Sequence, residues 1–231
     1  MRVAMTVAAF AAMAGVANAA VVYTNTTQTG SRYQPGADIG GTPNIVIDDV
    51  PFPVGMTGGA THVEITKMTI ALRRQGASSP AQTVNFYTTT FTATAINAPS
   101  LLGSINIPVG TGTAFFTDIH SIGDGSTVMA TVPLDYALIA GFGTIGAGIS
   151  FSDTAATATT GWRVTSGPDA NANAGWLWLP DQASQFGPFT FSGTGAPSVT
   201  FYIVIEGNFV PAPGSLALVG LGGLVALRRR R

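Results

Sequence analysis

The chain has no cysteine among its 231 residues, and this absence removes disulfides, thiol nucleophiles, cysteine-ligated zinc and iron–sulfur clusters from its chemistry. Charged side chains are also scarce, at 9% of the residues. Because long solvated helices draw heavily on Glu, Lys and Arg, the sequence has few of the means to build them. Glycine and proline are plentiful instead, at 29 and 14 residues, and threonine is frequent. This composition predicts short strands joined by many turns.

Positive charge is concentrated near the two ends of the sequence. Arg2 and the arginines at positions 228 to 231 make up five of the ten basic residues. The residues between them carry five basic and all eleven acidic side chains, which gives a net charge of −6. Because an acidic surface repels phosphate, the sequence argues against a nucleic-acid partner.

Residues 1–19 have the layout of a secretory signal peptide. One arginine precedes an apolar stretch at 3–16, and Ala17 and Ala19 put small side chains at the two positions that signal peptidase must accept. We expect cleavage after Ala19. An N-terminal membrane anchor is the alternative, although the apolar stretch is short against the roughly 20 residues that a spanning helix needs.

From residue 20 onward the apolar side chains alternate along short segments, as they do in strands. We expect a loop at 30–43 and a hairpin formed by 161–165 and 175–179. Further strand patterns occur at 21–23, 44–50, 62–73, 82–94, 101–107, 114–119, 126–132, 144–152 and 198–207. With no amphipathic helix between them, they predict one all-β domain at 20–209, an antiparallel two-sheet sandwich of jelly-roll type. Two smaller domains are the alternative.

The segment 62–73 has the clearest strand pattern and one irregularity. Val63 and Ile65 share one face, whereas Met68 and the apolar residues after it have the opposite parity. A strand can keep both sets on the same face only if one extra residue is inserted between them. The sequence therefore predicts a β-bulge near Thr66 and Lys67.

Few side chains suit catalysis. His62 and Glu64 alternate onto one face of a strand, where an imidazole beside a carboxylate could be half of an acid–base or metal site. A solvated pair on an outer face is the alternative. His120 stands alone after an apolar strand, and no serine lies in a nucleophile-elbow motif. We therefore expect no catalytic site.

Nine of the eleven acids are aspartates, the usual carboxylate ligands of calcium. Asp48 and Asp49 are adjacent, and Asp118 and Asp124 flank a turn with two glycines, but neither spacing matches a calcium loop. Turn formation explains Asp beside Gly equally well. A structural calcium ion stays open, and we expect no other cofactor. A glycoside hydrolase needs two acids about 5–10 Å apart in a cleft, and it is a remote alternative because the sequence identifies no such pair.

The three tryptophans suggest a possible ligand surface. Trp176 and Trp178 have the same parity, so one face of a strand would present both rings as a platform for a sugar. Large aromatic side chains also commonly fill protein cores. Both interpretations stay open for these two residues, and Trp162 is the third member of the set.

Residues 210–231 form a three-part segment. It consists of a proline-flanked motif, an uncharged run and an arginine cluster, which are Pro211-Ala212-Pro213, residues 214–227, and Arg228, Arg229, Arg230 and Arg231. As a helix the run would be about 21 Å long, which is short against about 30 Å of membrane hydrocarbon. By the positive-inside rule the arginines stay in the cytoplasm, so the domain lies on the other side.

This segment resembles a PEP-CTERM sorting signal. In that family a membrane-embedded exosortase, with a cysteine protease-like active site, recognises a Pro-Glu-Pro motif and processes the protein near it. The bacteria are of Gram-negative type, and the system is associated with exopolysaccharide and biofilm. Ala212 replaces the glutamate here, but the order of the three parts is intact. The resemblance covers about a tenth of the chain, and a plain tail anchor is the alternative.

These features predict a secreted cell-surface or extracellular-matrix protein without catalytic activity. The resemblance implies exosortase as a partner during maturation, beside signal peptidase and the membrane, and extracellular polysaccharide as a further partner. The competing interpretation is a carbohydrate-binding module that uses Trp176 and Trp178.

Overall fold

A computed structural model of the chain describes residues 19–33, 44–53, 57–92, 95–134, 142–152, 159–165, 175–189 and 200–211. In these ranges it contains fourteen strands and two single-turn 3-10 helices, Gly76–Ser78 and Pro180–Gln182. In chain order the strands are β1 (Ala20–Asn25), β2 (Gln28–Tyr33), β3 (Ile45–Pro53), β4 (Ala60–Gln75), β5 (Gln82–Thr89), β6 (Ser100–Ile107), β7 (Phe115–Ile122), β8 (Ala130–Pro133), β9 (Phe142–Phe151), β10 (Thr160–Thr165), β11 (Gly175–Leu179), β12 (Ser184–Phe189), β13 (Thr200–Phe201) and β14 (Ile203–Pro211).

The strands form two antiparallel sheets, which confirms the predicted fold class. In the first sheet the order is β1-β14-β4-β10-β13, with β2 beside β10 and with β7 and β8 beside β4. The second sheet has the order β12-β11-β3-β9-β5-β6. The long strand β4 is the centre of the first sheet, because β14 and β10 lie along one of its edges and β8 and β7 along the other.

The predicted bulge in β4 is confirmed at Thr66. Lys67 pairs with Glu206 and Ile65 pairs with Gly207, so Thr66 is the extra residue on the β4 side. Its hydroxyl donates a 3.0 Å hydrogen bond to the Glu206 carbonyl. The insertion changes the parity of the strand and so keeps every large apolar side chain of β4 in the core. These side chains are Val63, Ile65, Met68, Ile70 and Leu72.

Side chains from both sheets form the main hydrophobic core. Trp162 of β10 stacks on Phe201 of β13 with the ring centroids 4.3 Å apart, and the indole N–H donates to the Tyr202 carbonyl at 3.1 Å. A polar contact also joins the sheets, because Asp48 of β3 accepts a 2.9 Å hydrogen bond from the backbone N–H of Phe201. The fold therefore buries a carboxylate between the sheets and gives it a backbone donor.

The predicted hairpin is wrong. Both of its segments are strands, but β10 belongs to the first sheet and β11 to the second. β10 pairs with β2, β4 and β13, and β11 pairs with β3 and β12. The positions of β10 and β11 are therefore determined by partner strands that are distant in sequence, and the two strands lie in different sheets although they are neighbours in the chain.

Other segment boundaries also differ from the sequence analysis. Residues 30–33 are part of β2, so the loop predicted at 30–43 is wrong there, and 34–43 lie outside the described residues. In the segment 126–132, only the last part is a strand, β8. The last predicted strand is divided at Tyr202, and its second part, β14, continues to Pro211. The first two residues of the predicted sorting segment thus belong to the first sheet.

Candidate functional site

Both predicted targeting segments adjoin the same end of the first sheet. β1 pairs antiparallel with β14, and Ala20 lies opposite Gly207. Ala19, the predicted cleavage position, directly precedes β1, and Pro211 ends β14 four residues after Gly207. At about 3.4 Å per residue, Pro211 lies about 14 Å further along the strand. The predicted leader and the predicted sorting motif therefore adjoin one end of the sheet.

β14, which leads into the predicted motif, is held on both sides and by both sheets. β14 lies between β1 and β4, and Lys67 of β4 forms a 2.8 Å ion pair with Glu206. Near its end, the ring of Phe209 packs edge-on against Phe52 of the second sheet, with the centroids 5.2 Å apart. Pro211 is exposed, and its missing N–H cannot extend the ladder. The predicted motif thus begins at Pro211, the last residue of β14.

The other residues of the two predicted signals lie outside the described part of the chain. They are Ala17 with the rest of 1–18, Ala212, Pro213, the run 214–227, and Arg228, Arg229, Arg230 and Arg231. Within the described ranges, no helix is long and apolar enough to cross a membrane.

The two tryptophans of β11 share a face but do not form an exposed platform. Trp176 is completely buried on the side of the second sheet that faces away from the first. Phe91 covers it, with the ring centroids 4.9 Å apart, and Ile96 pairs with Phe91 in an isolated β-bridge. The side-chain oxygen of Gln185 accepts a 2.7 Å hydrogen bond from the backbone N–H of Ile96 and so holds Phe91 and Ile96 against the sheet. Trp178 is partly buried against the same cluster, so at most one of the two rings faces solvent.

One histidine has an acidic neighbour that the sequence analysis did not connect with it. Asp118 and His120 lie on one face of β7, with Oδ2 and Nε2 2.9 Å apart. The same Oδ2 accepts a 3.0 Å hydrogen bond from Arg74, whose side chain is only 3% exposed. Arg74 also donates to the carbonyls of Pro80 and Pro108. The carboxylate therefore neutralises a buried guanidinium, and the alternating positions 118 and 120 were the available signal for its contact with His120.

His62 and Glu64 do not form an ion pair in the described part of the chain. The nearest polar partner of His62 is the hydroxyl of the adjacent Thr61, 2.9 Å from Nδ1. Both residues lie in β4 beside β8, where they pair with Pro133 and Thr131. Their surroundings fit the outer-face interpretation.

Asp124 forms the turn that follows β7. Its Oδ1 accepts the backbone N–H groups of Ser126 and Thr127, both at 2.7 Å, and its Oδ2 accepts the Thr127 hydroxyl at 2.9 Å. These donors, led by the Thr127 N–H, hold the pKa of Asp124 well below its usual range. Both carboxylate oxygens are engaged in turn formation. In the described ranges, no group of three or more acids and histidines could hold a metal ion.

Comparison with known proteins adds one distant likeness. No family model matches the chain, and no curated protein matches it. Among solved structures, the chain is similar to one with the cysteine protease and lectin-like domains of Cwp84, a surface layer associated protein of Clostridium difficile, at 10% identity and a TM-score of 0.35. The match covers 73% of this chain and 32% of that one, so this chain spans about a third of its length. A likeness of this size carries no inference about function.

Proposed function

We propose that the chain is a secreted protein of the cell surface or extracellular matrix, without catalytic activity, that exosortase sorts in a bacterium of Gram-negative type. The observation that carries the proposal is the antiparallel pairing of β1 with β14, which joins the leader and the sorting motif to one end of the first sheet. If the leader and the hydrophobic tail both enter one membrane, the two ends of the domain to which they are attached must lie on the same side of it. This pairing supplies that arrangement.

The segment after β14 has the chemistry of a transient membrane anchor. Its uncharged run is about 21 Å long as a helix, so it fits the bilayer only with local thinning or with the arginine stems reaching outward. Four arginines hold one end in the cytoplasm. The sheet then lies outside, with Pro211 next to the membrane, where a membrane-embedded protease can reach the motif.

The other two functions have less support. A sugar platform at Trp176 and Trp178 needs two exposed rings, and Trp176 is completely buried. For hydrolysis, the acid–imidazole contact in the described part of the chain involves Asp118, and Arg74 engages the same carboxylate oxygen. The proposal therefore contains no catalytic step.

A double substitution of the motif tests the proposal. Pro211→Ala with Pro213→Ala should leave the protein unprocessed and held in the inner membrane, whereas the wild-type chain leaves that membrane after processing. Ala212→Glu is the matched control, since it restores the residue of the family motif and should keep processing. Membrane fractionation of the native host with an antibody to the domain measures both. Equal processing of the double variant and the wild type would overturn the proposal.

A further inference from the structure

One lateral side of the sandwich carries most of the exposed large apolar side chains. β6 is the last strand of the second sheet, and a Cβ atom at its Gly103 would lie 3.7 Å from Ile122 of β7, so β6 and β7 face each other on this side. Among the described residues, four of the six exposed large apolar side chains belong to β6, β7 or the link between them. These four are Leu101, Val109, Phe115 and Ile119. Apolar side chains that gather on one side of a domain are typical of a contact surface.

β6 also has an open edge on this side. It pairs with β5 along its whole length, from Ser100 to Ile107, and no strand in the described ranges pairs with its other side. The backbone N–H and C=O groups that point away from β5 therefore have no ladder partner among the described strands. An edge of this kind is a template on which a further strand can pair.

The sequence of β6 does little to prevent such pairing. Its eight residues, Ser-Leu-Leu-Gly-Ser-Ile-Asn-Ile, include no charged side chain and no proline. A bulge lies near its beginning, where the register shifts between Leu101 and Gly103, but residues 103–107 pair regularly with β5. The strand at the opposite end of the same sheet, β12, contains Pro188. Because charges and prolines are the usual means of blocking an edge, β6 is the open edge of this sheet.

The lack of charge extends well beyond β6. From position 75 to position 117 no residue is acidic, basic or a histidine, and this stretch includes β5, β6 and the beginning of β7. The region between positions 20 and 209 as a whole carries five basic and eleven acidic side chains, a net charge of −6. Two copies of such an acidic domain repel each other. At β6 they can approach without placing like charges side by side.

We propose that β6 pairs with β6 of a second copy of this chain, antiparallel and about a two-fold axis, so that the second sheets of the two copies become one continuous sheet. In such a dimer each strand meets its own sequence in reverse, and a strand without charge meets no like charge. The exposed side chain of Leu101 loses contact with water in the same interface.

A strand from a different protein is less favoured as the partner. Charged groups are what steers and selects a foreign partner, and residues 75–117 offer none. The pairing goes beyond the sorting function and does not depend on it, since β6 belongs to the domain whether or not the tail is processed.

The absence of cysteine from the chain allows a direct test. A short bis-maleimide can join a single introduced cysteine only to the same cysteine of another copy. Ser104→Cys puts the thiol at an exposed position in the middle of β6, and paired strands lie only about 5 Å apart. Purified full-length protein in non-ionic detergent should therefore give a covalent dimer on a denaturing gel. Thr24→Cys is the matched control, because it is also exposed but lies in β1, at the end of the first sheet, and it should give no dimer above background.

A charge on the edge provides the second variant. Asn106→Lys, added to Ser104→Cys, puts a lysine on the β6 edge of both copies and should lower the crosslinked fraction by about 10-fold or more. Thr24→Lys in the same background adds the same charge outside β6 and should change the fraction by less than about 2-fold. Circular dichroism verifies the fold of each variant. If Asn106→Lys does not fold, Leu101→Lys, at another exposed position of β6, serves in its place.

The dimer band appears with a processed or an unprocessed tail, so the result is independent of sorting. No covalent dimer of Ser104→Cys, or as much dimer from Thr24→Cys, would overturn the proposal, because the contact would then not lie at β6. Crosslinking that Asn106→Lys leaves unchanged would overturn it as well. In whole cells of the native host Ser104→Cys should give the same dimer, and an adduct with a different protein in its place would assign the edge to another partner.

Discussion

Ala20 in β1 lies directly opposite Gly207 in β14, and the carbonyl of Glu64 in β4 closes on Gly207 from the other side. Gly207 lies directly after the register shift between β14 and β4 that the bulge at Thr66 produces. A Cβ atom at Gly207 would collide with the Glu64 carbonyl, which is backbone and cannot rotate away. Gly207 therefore packs against both β1 and the bulged part of β4, in the strand that leads into the predicted sorting motif.

Gly207→Ala should destabilise the fold by about 2–3 kcal/mol, because the new methyl group must push β14 away from β4. Gly103→Ala in β6 is the matched control. Its Cβ would meet the Ile122 side chain at 3.7 Å, an ordinary contact, so its cost should stay within about 0.5 kcal/mol. Urea unfolding of the two variants measures the difference, and equal midpoints would contradict the described packing of β14.

The bulge itself shows how far the sequence determines the fold. The parity change between Ile65 and Met68 predicted a bulge near Thr66 and Lys67, because only local alternation was needed, and the structure places it at Thr66. The placement of β10 and β11 required more, since each pairs with strands far away in sequence. A turn between them looked sufficient for a hairpin, but their partners in two different sheets determine the outcome. Non-local pairing of this kind leaves no mark in the segment itself.

Iodide quenching of tryptophan fluorescence tests the packing of β11. Trp162 and Trp176 are fully buried, whereas Trp178 is only partly buried. Trp178→Phe should therefore remove most of the quenchable emission, and Trp176→Phe should leave it nearly unchanged. Equal quenching of the two variants would mean that Trp176 is exposed and would restore the sugar-platform interpretation.

The burial of Trp176 is a second feature of the fold that could not be predicted from the sequence. The parity of positions 176 and 178 correctly placed both tryptophans on one face of the strand. It gave no information about which residues cover that face. The cover comes from Phe91 and Ile96, which follow β5 and fold back over the second sheet. The sequence also could not show that Arg32, Arg73 and Arg163 lie on neighbouring strands, because these three strands meet only in the fold.

Asp118→Ala should cost about 2–3 kcal/mol, because it leaves the nearly buried guanidinium of Arg74 without its carboxylate. Glu206→Ala is the matched control. It breaks the Lys67 ion pair, whose two side chains are 33% and 24% exposed, and should cost at most about 1 kcal/mol. Thermal unfolding of both variants measures the difference. A larger loss for Glu206→Ala would contradict the structural role of Asp118.

Asp124→Ala should lower the melting temperature at neutral pH, since the turn loses three hydrogen bonds. The pKa of Asp124 is depressed in the folded state. Its contribution is therefore fully present above the ordinary aspartate pKa of about 4 and is lost as the pH falls through the lower folded value. The gap between wild type and variant should narrow in melting curves from about pH 5 to pH 2.

The exposed Asp181, in the turn between β11 and β12, provides the control for general charge effects. Asp181→Ala removes the same charge without removing a described hydrogen bond to the backbone. A gap for Asp124→Ala that stays constant over the whole pH range would show that its charged form does not stabilise the turn.

The intact mass of the mature protein from its native host tests the central proposal most directly. The mass should correspond to a chain that begins at Ala20 and ends near Pro211-Ala212-Pro213, without Arg228 to Arg231, and the protein should be found outside the inner membrane. A mature protein that keeps both the leader and Arg228 to Arg231 would contradict secretion and sorting.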